Sequence, residues 1–199
     1  MKKICVTGGI ACGKSSFGDI LVRRGVPVVD ADEICHELLG RECFARRAAA
    51  EFGRRILDRS GAVDRRILGG IIFDDAEKRK KLNALLHPEA RRVIKAWFER
   101  QQAADRPFAA ALVPLVYEAG WERDWDGIVC VASPRALQIS RLRKKGFSAG
   151  EADARISVQM PLDEKMSRAD YVVFNSGNFT GLRRQAGLII RNLKEQAER

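Results

Sequence analysis

The chain is poor in histidine, in aromatic residues and in long apolar runs. His36 and His87 are the only two histidines among 199 residues. Neither lies in a cluster with metal-ligand spacing, so a structural zinc site is not expected. Aromatic residues make up 7% of the chain, and no basic stretch is interleaved with them as in a nucleic-acid reader. The longest apolar run, Pro107 to Val116, is interrupted by Pro114 and falls well short of the ~20 residues a membrane-spanning helix needs. The cysteines (Cys5, Cys12, Cys35, Cys43 and Cys130) are odd in number and contain no Cys-x-x-Cys pair. That usage suits a reducing compartment better than a disulfide framework. Lys2 and Lys3 precede only a short apolar stretch, Ile4 to Val6, too brief for the core of a secretory signal. A cytoplasmic protein with no membrane partner is expected.

The composition is that of a packed globular chain, 46% hydrophobic and 31% charged, and its length suits one large domain or a core with insertions. Lys and Arg number 36 against 26 Asp and Glu, a formal net charge of +10. Such an excess fits nucleic acid, an anionic membrane or a heavily phosphorylated small molecule, and composition does not choose among them. Most of the basic residues, such as Arg23-Arg24, Arg46-Arg47 and Lys78 to Lys81, read as solvated helix faces.

Short apolar runs at Lys3–Thr7, Val26–Val29, Phe108–Val113, Gly127–Ala132 and Ala169–Phe174 read as strands. Helical spacing fills Ser15–Arg24, Ala31–Leu39, Asp75–Leu86, Glu89–Gln102, Pro134–Lys145 and Gly181–Glu198. Alternation of this kind predicts an α/β fold with a five-stranded parallel sheet and helices on both faces. The stretch from Asp30 to Pro107 holds about five helical pieces and no strand, far more than a simple crossover needs. The expected organisation is a core of residues 1–30, 107–140 and 169–199, a helical acceptor-binding insertion at 31–106, and a lid at 141–168. The lid assignment rests on charge and on the breakers Gly146, Ser148, Gly150 and Pro161.

The strongest signal is Gly8-Gly-Ile-Ala-Cys-Gly13-Lys14-Ser15, a Gly-x4-Gly-Lys-Ser string with a strand before it and a helix after it. Glycines let backbone N–H groups turn inward around phosphate oxygens, and the helix start adds its positive end. Gly9, Ala11, Cys12, Gly13, Lys14, Ser15 and Ser16 are therefore candidate ATP-binding residues. Lys14 is expected on the β- and γ-phosphates and the Ser15 hydroxyl on Mg²⁺. An Asn-Lys-x-Asp string, which would mark a GTPase, is absent. The second strand runs into Asp30-Ala-Asp32 at the carboxyl edge of the sheet, where ligands of open α/β sheets sit. One carboxylate could support Mg²⁺ through water and the other take a proton from an attacking hydroxyl, or either could merely cap the following helix. Cys12, in an amide-rich loop at a helix start, is a candidate acidic and reactive thiol, with an inert small loop residue as the alternative.

The order and spacing of further strings resemble the dephospho-CoA kinase family, a branch of the P-loop NTPase fold, over nearly the whole chain. They are Thr7 to Ser16, Asp30-Ala-Asp32, Leu85-Leu-His-Pro88, Pro114-Leu-Val-Tyr-Glu118, Gln138 to Arg143, Arg155 to Pro161 with Glu164-Lys165, and Ala169 to Gly177. Ala11, Cys12 and Ser16 depart from the residues common in the family's loop. The resemblance implies ATP-dependent phosphorylation of the ribose 3′-hydroxyl of dephospho-CoA, giving CoA and ADP. It also implies that ATP and dephospho-CoA are the partners, with no nucleic acid. Asp32 matches the carboxylate that orients or deprotonates the hydroxyl, and Thr7 and Leu115 to Glu118 match positions near the acceptor. His87 is a weaker acceptor-side candidate, because His87-Pro88 also reads as a helix break. Arg141 matches a lid arginine on the ATP phosphates, and its planar fork suits that task. Asn175 matches a position lining the adenine. Another small-molecule kinase on the same core and, from a different class, a basic ATP-binding nucleic-acid regulator remain the alternatives.

Overall fold

The computed structural model describes residues 1–73 and 75–197. Glu198, the expected end of the last helix, lies outside them. In chain order the elements are β1 (Lys2–Gly8), α1 (Lys14–Arg23), β2 (Val28–Asp30), α2 (Ala31–Gly40), α3 (Glu42–Phe52), a 3-10 turn at Arg54–Ile56, α4 (Arg65–Phe73) and α5 (Ala76–Ala103). There follow β3 (Phe108–Leu112), a 3-10 turn at Glu122–Asp124, β4 (Gly127–Ala132), α6 (Arg135–Lys144), α7 (Ala149–Ser157), α8 (Leu162–Ser167), β5 (Tyr171–Phe174) and α9 (Phe179–Ala197).

The five strands form one sheet in the order β2-β3-β1-β4-β5. β1 pairs in parallel with both β3 and β4, and β4 with β5. This is the five-stranded parallel α/β sheet that the strand–helix alternation predicts. Strand period two divides its residues between two covered faces. On one face, Ile4, Val6, Ala110, Leu112, Val129, Val131 and Val173 share a buried cluster with Phe17, Ile20 and Leu21 of α1 and Leu182, Ala186, Ile190 and Leu193 of α9. The intervening residues Cys5, Thr7, Ala109, Ala111 and Cys130 are buried too. α9 forms because Leu182, Ala186, Ile189, Ile190 and Leu193 recur at helical spacing on its buried side.

The chain divides into two compact units, residues 1–29 with 98–199, and residues 30–97. Residues 98–106, expected within the insertion, and 141–168, expected as a lid, both lie in the first unit. The second unit carries its own apolar interior, with Leu38, Ala48, Ile56, Leu68 and Ile94 almost fully buried. Surface ion pairs such as Lys81–Glu51 at 2.6 Å join its helices, each a small contribution at such exposure.

One expectation fails here. His87-Pro88 reads as a break between two helices, yet α5 runs unbroken through Pro88. Proline there removes the bond that residue 88 would donate to Ala84. Leu82, Leu86, Ala90 and Ile94, four residues apart and all buried, pack the turns on both sides, so tertiary burial overrides the local penalty. Pro88 itself is exposed. Pro88→Ala is therefore expected to stabilise the protein by about 1–3 kcal/mol, restoring that bond. A melting curve checks this, and an unchanged or lower Tm would show that the proline costs the helix nothing.

Candidate active site

The loop between β1 and α1 is shaped by glycines that neighbouring backbone and side chains allow no alternative to. Gly8 has φ +148°, and a Cβ there would lie 2.2 Å from the Val131 carbonyl oxygen on β4. Gly13, with φ +95°, sits at the N-cap of α1, where a Cβ would come within 2.1 Å of Asn175 Nδ2. Between them Cys12 N donates to Gly9 O at 3.1 Å, and Ala11 is held at φ +59°, in the left-handed region. That conformation costs an alanine roughly 1–2 kcal/mol.

The loop's carbonyls are gripped from outside. Arg141 Nη1, on α6, donates to Ala11 O and to Ser133 Oγ, each at 2.9 Å. Asn175 Nδ2, just after β5, donates to Cys12 O at 2.9 Å. Ser133 Oγ lies 2.7 Å from Asn175 O and 3.1 Å from Cys12 O, so it closes the ring. The two ends of a peptide unit point in opposite directions, so fixing Cys12 O on this side turns Gly13 N–H the other way. The amides of Ser15 and Ser16 follow in the first turn of α1, where a helix leaves its N–H groups to bind outside partners. Together they make an anion-binding concavity at the positive end of α1. Lys14 is half-buried and Ser15 exposed at its edge.

Of the two alternatives for Cys12, the structure favours the inert loop residue. It is fully buried, its Sγ accepts from Gln138 Nε2 at 2.7 Å, and burial pushes its thiol pKa up, only partly opposed by that bond. Backbone hydrogen bonds from Ser133 and Gly9 and the charge of Arg141 also pull it down, without overcoming the burial. It is an inert packing residue, and Cys43, the exposed cysteine, is the accessible one. Brief iodoacetamide treatment of the folded protein is expected to label Cys43 well before Cys12, with ATP changing Cys12 labelling little. Peptide mass analysis checks this, and early Cys12 labelling would contradict the buried assignment.

The segment after β3 forms the neighbouring wall. Thr7 is fully buried and its hydroxyl donates to Pro114 O at 3.2 Å. Leu115 is half-buried, and Glu118 pairs with Lys165 of α8 at 2.7 Å. Gly9, Ala11, Cys12, Gly13, Lys14, Ser15, Ser16, Arg141, Asn175, Thr7, Leu115 and Glu118 thus all belong to the first unit. Asp32 and His87 belong to the second. There, Asp30 is the cap of α2, accepting from Asp32 N at 2.9 Å, while Asp32 is exposed in the first turn. Cys35, one turn on, has its pKa pushed up to about 11 by burial and then by the two carboxylates. His87 is half-buried on α5, and burial, with the charge of Arg91, lowers its pKa.

Four residues that bind this site together carry no assigned role in the sequence reading: Ser133, Gln138, Gln159 and Lys165. Gln159 Oε1 accepts from Ile10 N at 2.7 Å. Gln138, Gln159 and Lys165 lie inside strings quoted for the family resemblance, which was the available signal. Among the described residues no group of three or more His, Cys, Asp or Glu is arranged to hold a metal ion. The exposed Ser15 hydroxyl is a hard oxygen donor suited to a Mg²⁺ that keeps phosphate and water oxygens as its other ligands.

Comparison with known proteins places this geometry in context. The family model described as dephospho-CoA kinase matches residues 3–180. The dephospho-CoA kinase of Anaeromyxobacter dehalogenans is 41% identical over 197 residues, 98% of this chain and 93% of that one. A solved dephospho-CoA kinase from Campylobacter jejuni is 26% identical with a TM-score of 0.72, covering 98% of each chain. Shikimate kinase from Bacteroides thetaiotaomicron, 16% identical with a TM-score of 0.53 over 97% of this chain and 98% of its own, shares the fold. The phosphate loop, the parallel sheet and a match over most of its length make this chain a member of the dephospho-CoA kinase family.

Proposed function

We propose that the protein transfers the γ-phosphoryl group of ATP to the ribose 3′-hydroxyl of dephospho-CoA, releasing ADP and CoA. The observation that carries this reading is the braced phosphate loop, with Lys14 and Ser15 at the head of α1, in a chain of this family. Phosphoryl transfer demands positioning and charge neutralisation above all. The amides of Gly13 to Ser16 would hold the phosphate oxygens, with Lys14 between the β- and γ-phosphates. Arg141, already at the loop's rim through Ala11 O, would add a second cation. Mg²⁺, held by Ser15, would neutralise charge on the phosphates. Asp32, exposed just beyond the end of β2 and supported in its turn by the Asp30 cap, would accept the hydroxyl proton. The oxygen forms its bond to phosphorus as the bond to the β–γ bridging oxygen breaks.

Leu115, Glu118, Thr7 and His87 would flank the acceptor, and Asn175 would reach the adenine side from its place behind Cys12. No helix among the described residues is long and apolar enough to cross a membrane. We assign the protein to the cytoplasm, with small molecules rather than nucleic acid as its partners, the net charge of +10 serving phosphorylated substrates.

ADP release with Mg·ATP and dephospho-CoA, with the product identified by mass as one phosphoryl group heavier, tests the reading. Product from adenosine or shikimate in its place would reassign the acceptor, and steeply salt-dependent duplex binding without turnover would favour a regulator. Asp32→Asn is expected to lower kcat by about 10²–10⁴-fold with little change in KM for ATP; near wild-type turnover would remove Asp32 from the chemistry. Lys14→Ala is expected to cost about 10²–10³-fold in kcat, measured in the same assay.

A further inference from the structure

Lys165 is a lysine with no solvent exposure at all. Burying an ammonium costs several kcal/mol before its partners compensate, and replacing a buried ion pair by apolar side chains is often neutral or stabilising. Stability alone therefore gives no reason for a lysine in the six-residue helix α8 (Leu162–Ser167), where an apolar residue would pack as well. What the ammonium touches does. Nζ donates to Pro114 O at 2.8 Å and lies 2.7 Å from Glu118 Oε1.

Both partners control the same short stretch. The last rung that ties β3 to β1 is Val113 N to Val6 O at 2.9 Å. Pro114 has no N–H to continue the ladder, so the direction in which the chain leaves the sheet depends on its carbonyl. That oxygen receives two side-chain donors, Thr7 Oγ1 from β1 and Lys165 Nζ from α8. Four residues on, Glu118 Oε1 takes Lys165 Nζ and also Met160 N at 3.0 Å. Its other oxygen, Oε2, takes no bond from any described residue, and the side chain is 24% exposed. Just beyond α8, Arg168 holds Glu122 at 2.9 Å and lies 4.4 Å over the Tyr117 ring. Just before it, Gln159 holds Ile10 of the phosphate loop. Residues 159–168, expected to be a mobile lid, fasten the donor loop at one end and the segment 114–122 at the other.

We propose that Lys165 is a positioning residue for the acceptor: by fixing Pro114 O and Glu118 Oε1 it sets the course of residues 114–118 and leaves Glu118 Oε2 presented to an acceptor hydroxyl. This rests on the acceptor-side reading of Glu118 above. Lys165 itself touches neither substrate.

Lys165→Met keeps the length of the stem and removes the charge. The expected result is a KM for dephospho-CoA raised about tenfold or more, with KM for ATP within about twofold of wild type. Glu118→Gln is expected to raise the acceptor KM alone as well, and the double variant to be little worse than the worse single one, because both act through one contact. Lys165→Arg should recover part of the loss. An unchanged acceptor KM in folded Lys165→Met, or equal rises in both KM values, would overturn the proposal, since a merely structural lysine predicts lower Tm without that split. If Lys165→Met does not fold, the part-exposed Glu118→Gln decides: an unmoved acceptor KM refutes the role. Should wild-type protein phosphorylate another alcohol instead, the acceptor's identity falls, and the same KM split measured with that alcohol still judges Lys165. Without any turnover, amide exchange of residues 113–119 judges it, expected to quicken in Lys165→Met, with equal rates counting against the role.

Discussion

The site depends on carbonyl oxygens being held on the outside of a tight loop so that amide hydrogens face inward. A short glycine-containing loop has many conformations, and an anion-binding one leaves several N–H groups without partners until a ligand arrives. Arg141, Ser133 and Asn175 supply the constraint from three separate elements by binding Ala11 O, Cys12 O and one another. A guanidinium used in this way is pre-organised for phosphate, because its planar fork is already fixed at the rim before any ligand binds. Preorganisation of this kind is where electrostatic catalysis draws its advantage over water.

The sheet turns that loop into part of a rigid body. β1 lies at the centre of the order β2-β3-β1-β4-β5, so its carboxyl end is flanked by β3 on one side and β4 on the other. The β4 neighbour sets the limit on Gly8 through Val131 O, and the β3 neighbour delivers Pro114 to Thr7. The face of the sheet toward α1 and α9 holds the main apolar cluster, with Lys2 and the Tyr171 hydroxyl bonded to α9 at its margin. The opposite face admits Thr7 and, against its end, Lys165, and these two share the Pro114 carbonyl, the kind of pairing that buried polar groups call for.

The legible parts of this arrangement were those encoded locally. Strand period, the Gly-x4-Gly-Lys-Ser string and the helix after it are short-range patterns, and the sheet and phosphate loop follow them. The departures have a common cause in distant contacts. Pro88 reads as a break because its ring and missing donor are local facts, whereas Leu82, Leu86, Ala90 and Ile94 hold α5 together through burial. Cys12 reads equally as an activated thiol or as an inert loop residue, and burial of its sulfur against Gln138, 126 residues away, favours the second. Charge and the breakers Gly146, Ser148, Gly150 and Pro161 suggest a lid, and they say nothing of the bonds that Gln159 and Lys165 make to residues 149 and 51 positions away.

From the chain alone came the α/β class, the nucleotide loop, and the family through the order of its motifs, since each is written in residue type and spacing along a few consecutive positions. Which side chains hold the loop open, which aspartate caps a helix, and which lysine is buried beneath residues 114–118 were decided by the folded structure. Those roles depend on burial and on hydrogen-bond partners that mostly lie far apart in the chain, and neither exists until the sheet has assembled.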